Sequence, residues 1–139
     1  MTWLVWALLS AVFAAATAIL AKVGVQDIDS NLATAIRTSV VVVFTWLFAG
    51  FTWESKALAS ISPKTLIFLG LSGFATGLSW LCYFHALKLG PASRVAPIDK
   101  LSVALVIVFG ALFLGERITL SKAIAGLLIV AGAIVIALD

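Results

Sequence analysis

One uncharged run in this chain is too short to cross a membrane alone, and it constrains the fold more than any other feature. Leu101 to Leu114 holds no charged residue. As a helix it is about 21 Å long, whereas the hydrocarbon core of a bilayer is about 30 Å thick. A membrane-spanning helix here therefore begins near Ser93. Arg94, Asp99 and Lys100 then lie on or inside the span, where charge is costly and usually functional.

Composition places the rest of the chain in a membrane as well. Of its 139 residues 63% are hydrophobic and 11% are charged, whereas soluble domains average about 25% charged residues. The length leaves room for about five spans of roughly 20 residues. We therefore predict an all-α integral membrane protein with a single domain over residues 1–139. The predicted spans are residues 3–22, 32–51, 65–87, 93–114 and 120–138.

The residue inventory argues against several other classes of protein. Cys82 is the only cysteine, which excludes an internal disulfide or a multi-cysteine metal site. One histidine and no carboxylate pair within the spans give no basis for an enzyme. A Walker A nucleotide-binding loop is absent from the sequence. The net charge of +3 fits loops near lipid headgroups better than a nucleic-acid surface, so we expect no cofactor, metal or nucleic-acid partner.

Polar residues recur at helical spacing in the first and third spans. This spacing places them on one face of each helix, as in the wall of a polar cavity. Hydrogen bonding between helices explains such stripes equally well, and the two interpretations stay open here. The residues that we predict to line a substrate cavity are Ser10, Thr17, Thr76, Ser79, Trp80 and Tyr83.

Small residues occur in the third and fifth spans, and in the third they recur at helical spacing. Gly73 and Gly77 form a GxxxG motif, and Gly126 and Gly132 lie in the fifth span. Close approach of two helices is the usual meaning of such residues in a membrane. We predict that these four glycines pack against neighbouring helices.

Arg37 falls inside the second span, because the run that follows it is too short to cross a membrane. Thr38 to Thr52 is only about 22 Å long as a helix. A long arginine side chain can extend to the headgroups, or it can face the protein interior. The sequence leaves both readings open.

In a chain of five spans, four helix ends share one side of the membrane. They are the end of span one, the start of span two, the end of span three and the start of span four. A buried charge is tolerated there only when it is paired, so we predict an Arg37–Asp99 ion pair. Lys100 lies about 100° from Asp99 on an ideal helix and is not expected to share its face. The residues that we predict to form a gate or coupling element are Arg37, Asp99, Lys100 and His85.

Positive charge is divided almost evenly between the two sides. One side holds Lys56, Lys64, Arg117 and Lys122, and the other holds Lys22, Lys88 and Arg94. The positive-inside rule depends on the difference in the number of Lys and Arg residues between the two sides, and here that difference is small. The small difference favours insertion in both orientations. Two oppositely inserted copies would pair as an inverted repeat. A single orientation, set by the one-charge difference, is the alternative.

Several motifs along the whole chain resemble the EamA-type domain of the drug/metabolite transporter superfamily. The strongest runs from Tyr83 to Ser93, at the exit of the third span. Phe113–Arg117 and Gly126–Gly132 also fit, as do Ala21-Lys22 and Ala35–Arg37.

The resemblance implies half of a ten-helix transporter fold, because most members carry two mutually inverted five-helix domains. It implies an antiparallel homodimer in a bacterial or archaeal inner membrane, with the lipid bilayer and a small-molecule substrate as partners. The implied activity is secondary transport or export of small metabolites or drugs by alternating access. Asp99 is the only carboxylate deep in a predicted span, and on that ground we predict it to be a proton- or cation-responsive group. Ile98-Asp99-Lys100 departs from the family pattern, so other members' sites do not carry over. Alternatives are an accessory or structural membrane subunit, and a flippase or small-multidrug-type subunit acting with a paralogue.

Overall fold

The computed structural model describes residues 2–52 and 61–139. Lys56, which enters the charge count above, lies outside these residues. Within them, five stretches are long and apolar enough to cross a membrane, and α4 and α5 together form one of these, Ala92–Leu114. The prediction of an all-helical chain with five spans is confirmed. The helices are α1 (Thr2–Gly24), α2 (Ser30–Thr52), α3 (Pro63–Leu89), α4 (Ala92–Asp99), α5 (Leu101–Leu114) and α6 (Leu120–Leu138).

Short polar side chains begin several of these helices. The first backbone N–H groups of a helix lack partners within the helix, and a side-chain oxygen just before it satisfies them. Asp29 Oδ1 accepts from the N–H groups of Asn31 and Leu32, at 2.8 and 3.1 Å. Thr119 accepts from the N–H of Lys122 at 3.3 Å in the same way. These caps fix where α2 and α6 start.

The fourth span is broken at Lys100, between α4 and α5. Pro97 lies inside α4 and has no N–H to donate. The N–H of Lys100 donates to the carbonyl of Pro97, three residues earlier, at 3.1 Å. At this break Lys100 Nζ lies 3.2 Å from Asp99 Oδ2. The two side chains were expected on different helix faces, and they meet here because the helix is broken and the lysine side chain is long.

The chain divides into two compact units, each described separately below. The central unit is Ala21–Lys88, and the terminal unit is Leu89–Asp139 together with α1 up to Leu20. In the terminal unit α6 packs against α4 and α5. In the central unit Val25 and Leu87 are fully buried and Phe84 is 3% exposed. The central unit's core thus lies where α1 ends, α2 begins and α3 ends.

The four predicted packing glycines differ in their surroundings. A methyl group added at Gly126 would lie 3.5 Å from Ile107 Cδ1, an ordinary packing distance. At Gly73, Gly77 and Gly132, nothing in the described part of the chain outside the local helix backbone lies within 4 Å of that position. The packing of these three glycines therefore stays a prediction.

Candidate functional site

Two lysine side chains form hydrogen bonds that connect the helix ends and the first loop of the central unit. Lys22, near the end of α1, donates from Nζ to the carbonyl of Leu87 at 2.6 Å. Lys88, near the end of α3, donates from Nζ to the carbonyl of Ile28 at 2.6 Å. The last carbonyls of a helix lack N–H partners and carry partial negative charge, which favours a cation there. The end of α1, the following loop and the end of α3 therefore lie at one end of the unit.

His85 and Asp29 lie at the same end of the central unit, near the loop between α1 and α2. Ser30 Oγ lies 3.4 Å from His85 Nδ1, and the tautomer of the ring decides which atom donates. The N–H groups of Leu32 and Asn31 hold the pKa of Asp29, which precedes the second span, below its ordinary value. The charges of Lys88 and His85 act in the same direction. The cap of α2 is therefore strongest when Asp29 is ionised.

Deeper in the central unit, aromatic rings hold the guanidinium of Arg37. Its Cζ lies 4.2 Å from the centroid of the Trp80 ring and 5.5 Å from that of Phe84. Trp80 and Phe84 are four residues apart on α3 and so share a face. Tyr83 lies beside them, with its ring centroid 6.5 Å from that of Phe84. We call Arg37, Trp80, Tyr83 and Phe84 the Arg37 cluster.

The aromatic contacts position Arg37 but do not satisfy it. A cation–π contact contributes about 0.5–2 kcal/mol, while an arginine at the centre of a span costs about 2.5–3.5 kcal/mol on insertion scales. A guanidinium also has five N–H donors. Within residues 2–52 and 61–139, Arg37 makes no hydrogen bond or ion pair. Its donors are therefore open to water, headgroups or a ligand.

Carboxylates lie close to three basic side chains of the terminal unit, those of Arg94, Lys100 and Lys122. Lys100 pairs with Asp99, and Asp99 is the less exposed partner, with 35% of its side chain accessible against 56% for Lys100. Lys122 pairs with Glu116 at 3.1 Å, and Arg94 lies 3.9 Å from Asp139. The predicted Arg37–Asp99 pair would join the two units and stays a prediction.

The structure brings some of the predicted site residues together. Trp80 and Tyr83 are half-buried and join Arg37 in the central unit. Thr76 Oγ1 donates to the carbonyl of Ser72 at 2.9 Å, so its proton serves its own helix. Ser79 is exposed. Ser10, which is exposed, and Thr17, which is half-buried, belong to the terminal unit.

Two contributors to the site were not predicted from the sequence. Phe84 completes the aromatic support of Arg37, and Ser30 contacts His85. The position of Phe84, four residues after Trp80, was a usable signal because residues at that spacing share a helix face. Ser30 offered no comparable signal, since it is the first residue of α2 and no helical repeat of polar residues leads up to it.

Comparison with known proteins identifies the family. The model of the EamA-like transporter family matches residues 1–138. The uncharacterized transporter in cobO 3'region of Sinorhizobium sp is 51% identical over 136 residues, which cover 98% of this chain and 96% of that protein. The uncharacterized transporter YvbV of Bacillus subtilis (strain 168) is 36% identical over 119 residues, covering 85% of this chain and 38% of that protein. No solved structure matches the chain.

These matches confirm the resemblance seen in the motifs and favour a transporter over an enzyme. They cover both units of the structure, the Arg37 cluster and the broken fourth span. The five-span membrane protein described here belongs to the EamA-like transporter family.

Proposed function

We propose that this chain is a secondary transporter that moves small metabolites or drugs by alternating access. The observation that carries the proposal is the Arg37 cluster, a charged group held within a membrane-spanning segment by aromatic faces. Ionisable residues inside spans are rare and typically mark substrate or ion pathways. The family and the transporter-named relatives support the same activity. A bacterial inner membrane is the proposed location, since both relatives named above are bacterial.

The functional form that we propose is an antiparallel homodimer. The Bacillus relative is more than twice as long as the segment it shares with this chain, so a second copy would supply comparable length. The near-even division of basic residues favours opposite insertion of the two copies. Labelling at an Asp27→Cys position, in a Cys82→Ala background, with an impermeant maleimide tests this. Modification in both intact cells and inside-out vesicles is expected, and strictly one-sided modification would exclude an antiparallel arrangement.

Asp99 is the proposed coupling group. It is the one carboxylate within the five candidate spans among the described residues, and it lies next to the helix break at Lys100. A carboxylate that exchanges a proton or cation while the break changes shape would link ion movement to substrate movement. His85 and Lys100 would act with it at the mouths of the dimer.

Flux across proteoliposomes tests the transport proposal. We expect the wild-type chain to exchange radiolabelled small metabolites in counterflow, at a rate that depends on pH. Asp99→Asn should retain exchange but lose most of the pH dependence. Lys122→Gln is the matched control, because it removes a charge from an exposed ion pair with Glu116, close to the start of the last candidate span. Unchanged pH dependence in Asp99→Asn would remove Asp99 from coupling. Absence of flux for every compound would favour an accessory subunit instead.

A further inference from the structure

We propose that Arg37 binds the carboxylate of the transported substrate, which makes that substrate a small organic acid or a zwitterion. The inference rests on the transport function proposed above and gives it a substrate class. It is carried by the Arg37 cluster, where a guanidinium is oriented by neutral groups and keeps its hydrogen-bonding capacity.

The chemistry of the cluster favours an anionic ligand. Contact with the rings of Trp80 and Phe84 uses their π faces and occupies none of the N–H donors of Arg37. A planar guanidinium matches a carboxylate with two parallel hydrogen bonds. Among the described residues of the central unit, no carboxylate forms an ion pair with Arg37, so its positive charge is not neutralised within that unit. The same charge repels a cationic substrate.

The depth of the cluster separates a substrate site from an arginine that extends to the headgroups. Arg37 lies seven residues beyond the start of α2 at Ser30, about 10 Å along the helix axis. Trp80 lies nine residues before the end of α3 at Leu89, about 13 Å along its axis. The contact between Ser30 and His85 places the start of α2 beside the end of α3. Contact with Trp80 therefore holds the guanidinium at depth rather than at the membrane surface.

The specificity of binding provides the first test. The full chain, purified in a maltoside detergent that contains no phosphate, is heated with matched ligand pairs at millimolar concentration. The pairs are acetate with acetamide, benzoate with benzamide, succinate with succinamide, and alanine with alaninamide. We expect at least one carboxylate to raise the melting temperature while its amide does not. If no carboxylate stabilises the protein, or each amide acts as its acid does, the proposal is wrong.

Substitution of Arg37 provides the second test. Arg37→Gln should weaken binding of the stabilising carboxylate at least tenfold, and Trp80→Phe should weaken it only a few-fold because an aromatic face remains. Arg94→Gln is the matched control, since it makes the same change at an arginine paired with Asp139, and it should bind as wild type does. If Arg37→Gln does not fold, Arg37→Lys replaces it, with at least threefold weaker binding because lysine lacks the planar fork. Wild-type affinity in the Arg37 variant that folds would overturn the proposal.

Two further arms identify the source of the ligand and separate this proposal from the transport function. Stabilisation through Arg37 by added phosphatidylglycerol, but by no soluble carboxylate, would assign the site to lipid headgroups and overturn the inference. In proteoliposomes, the flux of neutral or cationic compounds is compared between the wild type and Arg37→Gln. Unchanged flux in the variant would also overturn the substrate inference, but it would support the proposed transport function. Arg37-dependent carboxylate binding without any flux would keep the anion site but not the transport function.

Discussion

The two units of this protein hold their cations in different ways. In the central unit, Lys22 and Lys88 donate to backbone carbonyls and Arg37 lies against aromatic rings. In the terminal unit, the basic side chains of Arg94, Lys100 and Lys122 each meet a carboxylate. Carbonyl dipoles and aromatic faces orient a cation without cancelling its charge, whereas a carboxylate cancels it. This difference is what supports the proposals that an anion binds in the central unit and that the terminal unit carries the coupling carboxylate.

The comparison also separates structural cations from functional ones. Lys22 and Lys88 bind carbonyls near buried core residues and connect helix ends that are far apart in sequence. Arg37 makes no such bond within the described residues, although it lies deeper in its helix. Two lysines therefore have a structural explanation, and the arginine does not. This difference is the reason for assigning ligand binding to Arg37.

The largest effect on stability is expected where a cation binds a carbonyl. Lys22→Met should lower the free energy of unfolding by about 1–2 kcal/mol, because a charge-assisted hydrogen bond to the Leu87 carbonyl is lost and methionine retains only the apolar stem. The same substitution at Lys122, which loses an exposed ion pair with Glu116, should cost about 0–1 kcal/mol. Denaturant unfolding of both variants in maltoside measures the difference.

Salt sharpens this comparison. Raising the ionic strength to about 1 M shortens the screening distance to about 3 Å and weakens an exposed ion pair. The loss of unfolding free energy in Lys122→Met should therefore become smaller at high salt, while the loss in Lys22→Met should remain. Equal deficits in the two variants, both removed by salt, would contradict a structural difference between the two kinds of cation.

The sequence predicted the helices well because their signals are local. Apolar runs of spanning length, and charges that interrupt them, identify membrane helices without any knowledge of tertiary contacts. The side on which each helix ends follows from the number of spans alone. That count placed the ends of the first and third spans on one side, and the bond from Lys22 to the Leu87 carbonyl now joins those ends.

The details of the candidate site depended on contacts that no local signal contains. Arg37 was expected to seek a carboxylate, because pairing rules consider charges and overlook the faces of rings. The structure places Arg37 against Trp80 and Phe84, a contact that those rules did not anticipate, and its pairing with Asp99 stays a prediction. Lys100 was expected to point away from Asp99, because helical angles assume an unbroken helix. The break after Pro97 removed that assumption.

The smallest effect concerns Asp29, whose carboxylate caps α2 in the central unit. Hydrogen bonds from Leu32 and Asn31 lower its pKa in the folded protein. Its contribution to stability is therefore present above the unfolded pKa of about 4 and is lost as the pH falls through the lower folded value. Hydrogen exchange at Asn31 and Leu32, expressed as protection relative to the unstructured chain, should show fraying of the first turn of α2 below about pH 4.

Two substitutions separate the charge of Asp29 from its hydrogen bonds. Asparagine caps a helix about as well as aspartate and does not titrate in this range, so Asp29→Asn should keep protection at both neutral and acidic pH. Asp29→Ala should reduce the protection of both amides on the order of fivefold at neutral pH, and its protection should not fall further as the pH is lowered. The wild-type protein should lose protection of these amides between about pH 6 and about pH 3, the range that includes the reference pKa of an aspartate. Protection that does not change over this range would show that the ionised carboxylate does not stabilise this end of the central unit. The charges of Lys88 and His85 would then act on Asp29 without structural consequence, and the order of this end would depend on Lys22 and Lys88 alone.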